Sequence, residues 1–200
     1  VRLVWRDHVI SLIDTPGHVD FGYEVSRSLA ACEGVILLVD SSQGIEAQTL
    51  ANCYLALEHE LGIVAAVNKI DLPAADPDRV SEEIERVLGL AAEDVLRVSA
   101  KTGEGVAELL DAVIERIAPP VGEIDAPLQG LIFDSYYDAY RGVISAVRVF
   151  NGTLTSGARL KFLQANAIHD ADEIGHRLPA PTPVAVLGPG EVGYLIAGIK

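Results

Sequence analysis

Two unbroken apolar runs, Val35-Ile-Leu-Leu-Val39 and Ile63-Val-Ala-Ala-Val67, constrain the fold of this chain more than any other feature. Five consecutive apolar residues leave no side for solvent, so each run reads as a strand covered on both faces. Each is followed by a polar residue, Asp40 or Asn68, and then by a loop and a helical pattern. The first of these helices covers about residues 46–61, with Ala47, Leu50, Ala51, Tyr54, Leu55 and Leu61 on its inner side. The second opens with Asp76 as cap and Pro77 at the first helical position, and runs to about Leu88. Val9-Ile-Ser-Leu-Ile13 and Val95-Leu-Arg-Val98 are two further strands. A helix of about residues 21–33, carrying Phe21, Val25, Leu29 and Cys32 at helical spacing, follows the former and ends at Gly34. Another, burying Val106, Leu109, Leu110, Val113, Ile114 and Ile117, follows the latter. Strands alternating with helices in this way predict an α/β fold with a doubly wound, mostly parallel sheet. Residues 1–6 alternate and turn at Arg6-Asp7-His8 into strand 9–13, which predicts an antiparallel hairpin at the edge of that sheet.

Pro119-Pro120-Val-Gly122 interrupts the pattern, and the helical period does not return. Leu128–Phe133, Val143–Phe150, Arg159–Leu163, Val184–Leu187 and Val192–Ile199 read as short strands separated by Asn-Gly, Ser-Gly and Pro-Gly turns. They predict a small antiparallel β-barrel, with no strand assigned in residues 164–183. The expected domains are therefore residues 1–122 and 123–200.

Composition narrows the partners. Twenty-nine acids against fifteen Lys and Arg give a formal charge of −14, which repels free nucleic acid and argues against free DNA as a ligand. A ribonucleoprotein contacted locally stays compatible with that charge. No transmembrane segment is expected, since no apolar run approaches the length of a membrane-spanning helix. Cys32 and Cys53 both fall in helical patterns and read as small buried hydrophobes rather than a disulfide or a metal site.

Parallel sheets hold their ligands beyond the C-terminal ends of the strands, where Asp14, Asp40, Asn68 and Ser99 all stand. After Asp14 come Thr15, Pro16, Gly17 and His18. The Asp14 carboxylate can hold a hydrated Mg²⁺, and the Gly17 amide can approach a terminal phosphate oxygen with no Cβ in the way. Asn68-Lys69-Ile70-Asp71 has the chemistry of a guanine reader. Asp71 can accept from N1–H and from the exocyclic amine, Asn68 can reach the O6/N7 edge, and the Lys69 stem can lie along the ring. Adenine would leave that carboxylate unpaired. Ser99-Ala100-Lys101 would add the Ala100 amide as a donor to O6 and the Lys101 stem on the other side of the base. Taken singly, each string also reads as an ordinary turn.

Asp-x-x-Gly, Asn-Lys-x-Asp and Ser-Ala-Lys, in that order and each at a strand end, resemble the guanine-nucleotide signature of the GTPase superfamily. The longer string from Asp14 to Phe21 resembles the translation-factor GTPases. Three further strings, Glu24–Gly34, Ser42–Asn52 and Ile132–Gly142, resemble the LepA-type members, the elongation factor 4 family, as does Gly190–Lys200. The resemblance fades over residues 164–183. It implies a P-loop GTPase fold binding GTP or GDP with Mg²⁺, and a catalytic His18 that orients the attacking water. It further implies GTP hydrolysis coupled to ribosome back-translocation and translational fidelity, with the ribosome as partner. A cytoplasmic location follows from the same family, with peripheral contact to the cytoplasmic face of the membrane as an open alternative. Tyr136, Tyr137 and Tyr140 are expected to pack within the barrel or between domains. No Gly-x-x-x-x-Gly-Lys-[Ser/Thr] occurs in the 200 residues, and the family places that loop upstream of residue 1. The chain alone is accordingly expected to be inactive. Two alternatives stay open: a translocase or ribosome-protection GTPase, and a non-catalytic ribosome-binding module.

Overall fold

The structure is a computed structural model and describes residues 1–15 and 22–198. Its contacts divide the chain into two compact units, residues 15–119 and residues 1–14 together with 120–200.

In the first unit, strands β3 (Gly34–Asp40), β4 (Gly62–Asn68) and β5 (Leu96–Arg97) form a parallel sheet in that order. The flanking helices are α1 (Gly22–Leu29), α2 (Ala47–Glu58), α3 (Pro77–Leu88) and α4 (Val106–Arg116). The apolar run of β4 shows why the sheet is covered twice. Ala65 and Val67 pack with Cys53 of α2 and with Val80 and Ile84 of α3, while Val64 and Ala66 pack with Leu109 and Ala112 of α4. Alternate side chains of one strand thus enter two cores, as a period of two requires. Burying each such valine stabilises the unit by about 1.5–3 kcal/mol.

The helices follow their local signals with two corrections. The Asp76 carboxylate accepts from the Arg79 amide at 3.2 Å, Pro77 begins α3, and Gly89 at φ +73 ends it. Helix α1 stops at Leu29 rather than near residue 33, because Ala31 N–H turns to Ser28 O and Cys32 N–H to Leu29 O, each at 3.0 Å. Those tighter turns end the α-helical ladder early. In α2 the buried residues are Cys53 and Ala56, whereas Tyr54 is 53% exposed and Ala47 and Ala51 are exposed. A stripe of smaller side chains faces the sheet, and the bulky tyrosine is turned out. Cys53 is buried and Cys32 half-buried, its thiol donating to Ser28 O at 3.2 Å, and both are thiols.

The second unit holds a five-stranded antiparallel sheet, β12 (Ala180–Pro183), β11 (Glu173–Leu178), β14 (Val192–Ile196), β7 (Gly142–Asn151) and β6 (Gln129–Asp138), in that order. Two ribbons accompany it, β8 (Leu154–Thr155) with β13 (Val186–Leu187) and β9 (Arg159–Phe162) with β10 (Ala167–Asp170). Val147, Val149, Leu154, Ala171, Ile174, Leu187, Leu195 and Ala197 form its core. Among the described residues no pairing joins β12 to β6, so the expected barrel is not closed. Pro181 and Pro183 lack amide donors for a further neighbour, and β6 is bulged between Gln129 and Gly130 and between Ile132 and Asp134. Strands β10, β11 and β12 occupy the stretch in which none was expected.

The N-terminal hairpin forms as expected, β1 (Arg2–Trp5) pairing antiparallel with β2 (His8–Ser11), but it is a separate two-stranded sheet rather than an edge of the parallel one. It packs beside β11, with Arg2 and Glu191 4.0 Å apart. Tyr137 and Tyr140 do not pack within the sheet's core, being 70% and 98% exposed, and the buried tyrosine of this unit is Tyr194. No described helix is long and apolar enough to cross a membrane.

Candidate functional site

The parallel register brings the polar strand ends of the first unit to one edge. Asp40 lies level with Asn68 in the β3–β4 pairing, and the Asn68 carbonyl accepts from Ser41 N at 2.9 Å. Val98 N donates to Val67 O at 2.8 Å and Ile70 N to Val98 O at 3.3 Å, which ties the loop after β4 to the loop after β5.

On this frame the two motifs interlock. Asn68 Oδ1 accepts from the amides of Lys69 at 2.8 Å and Ala100 at 3.0 Å. Two N–H groups converging on one amide atom identify it as the oxygen, so the Asn68 NH₂ is the end left to a ligand acceptor. Asp71 Oδ1 accepts from Ser99 Oγ at 2.7 Å, and the wholly buried Ser99 hydroxyl accepts in turn from Thr102 N at 3.1 Å. Asp71 Oδ2 lies 4.0 Å from Lys101 Nζ. The Ser99 hydrogen bond, with Lys101 as a weaker contributor, holds the Asp71 carboxyl below the usual carboxylate range. It is therefore an anion, with acceptor capacity on the oxygen that Ser99 does not use.

Asp40, which the sequence reading left without a role, is the most heavily bonded carboxylate at this edge. Oδ2 meets Lys69 Nζ at 2.6 Å, while Oδ1 accepts from Ser42 N at 2.8 Å, Ser42 Oγ at 2.6 Å and Gln43 N at 3.3 Å. The Lys69 hydrogen bond and then that of Ser42 hold its carboxyl far below the ordinary value, and the same pairing raises the lysine. An acid at a strand end followed by two serines was the available signal, since serine donors two residues on are a frequent partner of such an acid. A cavity of about 240 Å³ lies against this pair, lined by Gln43, Glu46, Thr49 and Asn68 among others.

The sequence-predicted residues thus fall into three groups. Asn68, Lys69, Asp71, Ser99, Ala100 and Lys101 lie together at one sheet edge, with two differences from the expected contacts. The Ala100 amide donates to Asn68 rather than standing free, and the Lys69 ammonium is held by Asp40. Asp14 and Thr15 are described, Asp14 as an exposed residue after β2 and Thr15 as a half-buried one, and they fall in different units. Pro16, Gly17 and His18 lie outside the described residues. No group of three or more His, Cys, Asp or Glu suited to a metal ion occurs among the described residues.

Similarity to known proteins runs the length of the chain. An elongation factor 4 from Nocardia farcinica is 60% identical over 204 residues, covering 100% of this chain and 33% of its own length. One from Thermobifida fusca is 60% identical over 193 residues, with 96% and 31% covered. One from Mycobacterium tuberculosis (strain ATCC 25618 / H37Rv) is 56% identical over 204 residues, with 100% and 31% covered. The chain therefore spans about a third of the length of the curated relatives it matches. The pattern of the elongation factor Tu GTP-binding domain matches residues 1–119, more than half of the chain and all of its parallel sheet, so the chain belongs to the family of that domain.

Proposed function

We propose that the protein carrying this chain is a GTPase of the elongation factor 4 type, which hydrolyses GTP to GDP and phosphate in a ribosome-dependent step of translation. The observation that carries the reading is the Asp71 carboxylate, fixed by Ser99 and still able to accept at its second oxygen. Guanine offers N1–H and the exocyclic amine as adjacent donors to one carboxylate, and adenine offers no such pair. The Asn68 NH₂ serves N7 or O6, the Ala100 amide transfers from Asn68 to O6 when the base enters, and the Lys69 and Lys101 stems flank the ring. Thr15, Pro16 and Gly17 approach the terminal phosphate, and His18 orients the attacking water.

Mg²⁺ suits the donor set near Asp14. The exposed Asp14 carboxylate is a hard oxygen donor of the kind Mg²⁺ takes, and this cation keeps waters and substrate phosphates in the rest of its shell. Bound there through water, Mg²⁺ would neutralise phosphate charge. Residues 1–122, the hairpin included, are read as the nucleotide domain with a P-loop GTPase fold, supported by the family match over residues 1–119. Residues 123–200 are read as part of a barrel domain, and the location as cytoplasmic, after the elongation factor 4 relatives.

Equilibrium binding of GDP and ADP to the product of the full reading frame, with Mg²⁺ present, tests the reading. GDP is expected to bind at micromolar concentration or tighter, about −8 kcal/mol or better, and ADP at least a hundredfold more weakly. Equal binding of the two, or none, contradicts it. For the catalytic part, His18→Ala should leave GTP affinity unchanged and lower ribosome-stimulated hydrolysis by about 10²–10³-fold. Single-turnover hydrolysis within a few-fold of wild type would remove His18 from the mechanism.

A further inference from the structure

We propose that Asp40 is a positioning residue of the base site: it anchors the Lys69 ammonium and so presents the lysine stem as a preformed platform for the guanine ring. The inference rests on the guanine-binding reading above and adds to it a residue outside the three motifs. Lys69 has φ +66, in the left-handed region that a long side chain adopts only where its surroundings impose it. Its amide donates to Asn68 Oδ1 at 2.8 Å, and its carbonyl accepts from Leu72 N at 3.1 Å. Those two bonds fix the backbone. Among the described residues, the contact that fixes the side chain is the 2.6 Å pairing of Nζ with Asp40 Oδ2.

Asp40 is the fixed member of the pair. Three donors on its other oxygen, from Ser42 and Gln43, set its orientation independently of the lysine. Its side chain is 15% exposed against 55% for Lys69, so the acid is rooted in the sheet edge and the lysine stem is what solvent or a ligand meets. The parallel register places the anchor beside the motif it serves, Asp40 opposite Asn68. A lysine free in solvent loses rotamer freedom when a flat ring settles on its methylenes, whereas one already held by its ammonium has lost it beforehand. Binding to a preorganised platform is tighter for that reason, chiefly through slower release.

The test is a double-mutant cycle in the product of the full reading frame, using Asp40→Asn and Lys69→Met with GDP and IDP as probes. Asparagine keeps an oxygen for Ser42 and Gln43 but loses the charge, and methionine keeps much of the stem but loses the ammonium. Asp40→Asn is expected to weaken GDP about tenfold, mainly in the dissociation rate, and to leave the GDP-to-IDP ratio unchanged because the ring face rather than its edge is affected. In the Lys69→Met background the same change is expected to cost less than twofold. A loss of similar size in both backgrounds would overturn the inference, placing Asp40's role in its own turn. Wild-type affinity in Asp40→Asn would overturn it alone, whereas wild-type protein that fails to bind GDP would overturn the guanine reading with it.

Discussion

Two carboxylates, one in each unit, sit in hydrogen-bonded networks that differ in where the fold puts them. Asp71 takes the Ser99 hydroxyl on one oxygen and has Lys101 4.0 Å from the other. Glu173 on β11 takes the Tyr194 hydroxyl at 2.6 Å and the Arg141 guanidinium on the same oxygen, with the Arg141 guanidinium also 5.8 Å from the centre of the Tyr194 ring. The second network joins β11, the turn at Arg141 and β14, and it cross-links strands of one antiparallel sheet. The first joins two loops at a sheet edge and keeps an acceptor facing outward. Parallel register accounts for the difference, because it delivers the ends of β3, β4 and β5 to one edge, where polar groups accumulate without a strand to consume them. Asp71 is set apart by its company at that edge, where Asn68, Lys69 and Ala100 stand beside it.

That contrast can be broken first at Asp71. Asp71→Asn should exchange guanine for xanthine preference: the amide NH₂ would face the guanine amine, donor against donor, whereas xanthine offers a carbonyl there. Sites built on such hydrogen bonds discriminate by up to about 10⁴-fold. Competition between GDP and XDP on wild type and variant measures it, and equal weakening of both would reduce Asp71 to a turn residue.

Gly105 supports the same edge from below. It caps α4 at φ +72, and a Cβ there would stand 2.0 Å from Arg97 O. Gly105→Ala should cost about 2–4 kcal/mol through the left-handed backbone and the clash together. Denaturant unfolding checks the loss, and GDP affinity should fall with it because Ser99–Lys101 lie between β5 and α4. An unchanged midpoint would show that α4 can shift without cost.

Glu173→Gln tests the network of the second unit. The amide still accepts from Tyr194 but loses its charge against Arg141; with both side chains about a third exposed, the expected loss is about 1 kcal/mol, with GDP affinity unchanged. The pH dependence gives the sign. Tyr194, and then Arg141, lower the Glu173 carboxyl below its ordinary value, so its contribution is complete above about pH 4.5 and is lost as pH falls through the folded value. Wild type and variant should therefore converge in stability in acid and differ at neutral pH. A difference that persists in acid would assign the effect to packing.

The smallest change is expected from Ser99→Ala, which frees Asp71 to rotate and lets its carboxyl return toward the ordinary value. GDP should weaken about two- to threefold by calorimetry, with guanine still preferred. Full affinity would mean that Asp71 is held by its backbone alone.

Much of the first unit was legible because its signals are local. Ile63–Val67 is buried as its unbroken apolar run requires, whereas Leu38 within Val35–Val39 is 51% exposed, so that run is covered fully on one face only; Asp76-Pro77 starts a helix wherever it stands before an amphipathic stripe. The second unit hid strands for physical reasons. β11 buries Ile174, Gly175 and His176 in succession, so it shows no alternation, and β12 carries two prolines and is exposed throughout. The hairpin was legible as a hairpin, but its neighbour was not, since Val4 and Val9, 64% and 54% exposed, declare no partner face. At the site, residue types gave the motif and its order. The pairing of Lys69 with Asp40 was not legible, because it depends on a register that places residues 40 and 68 side by side.

The structure of the full reading-frame product with GDP and Mg²⁺ tests the central claim most directly. The account predicts guanine between the Lys69 and Lys101 stems, N1 and the exocyclic amine each about 3 Å from the Asp71 carboxylate, and the Ala100 amide turned from Asn68 Oδ1 to O6. A base bound elsewhere, or one seated there with Asp71 still bonded only to Ser99, would contradict it.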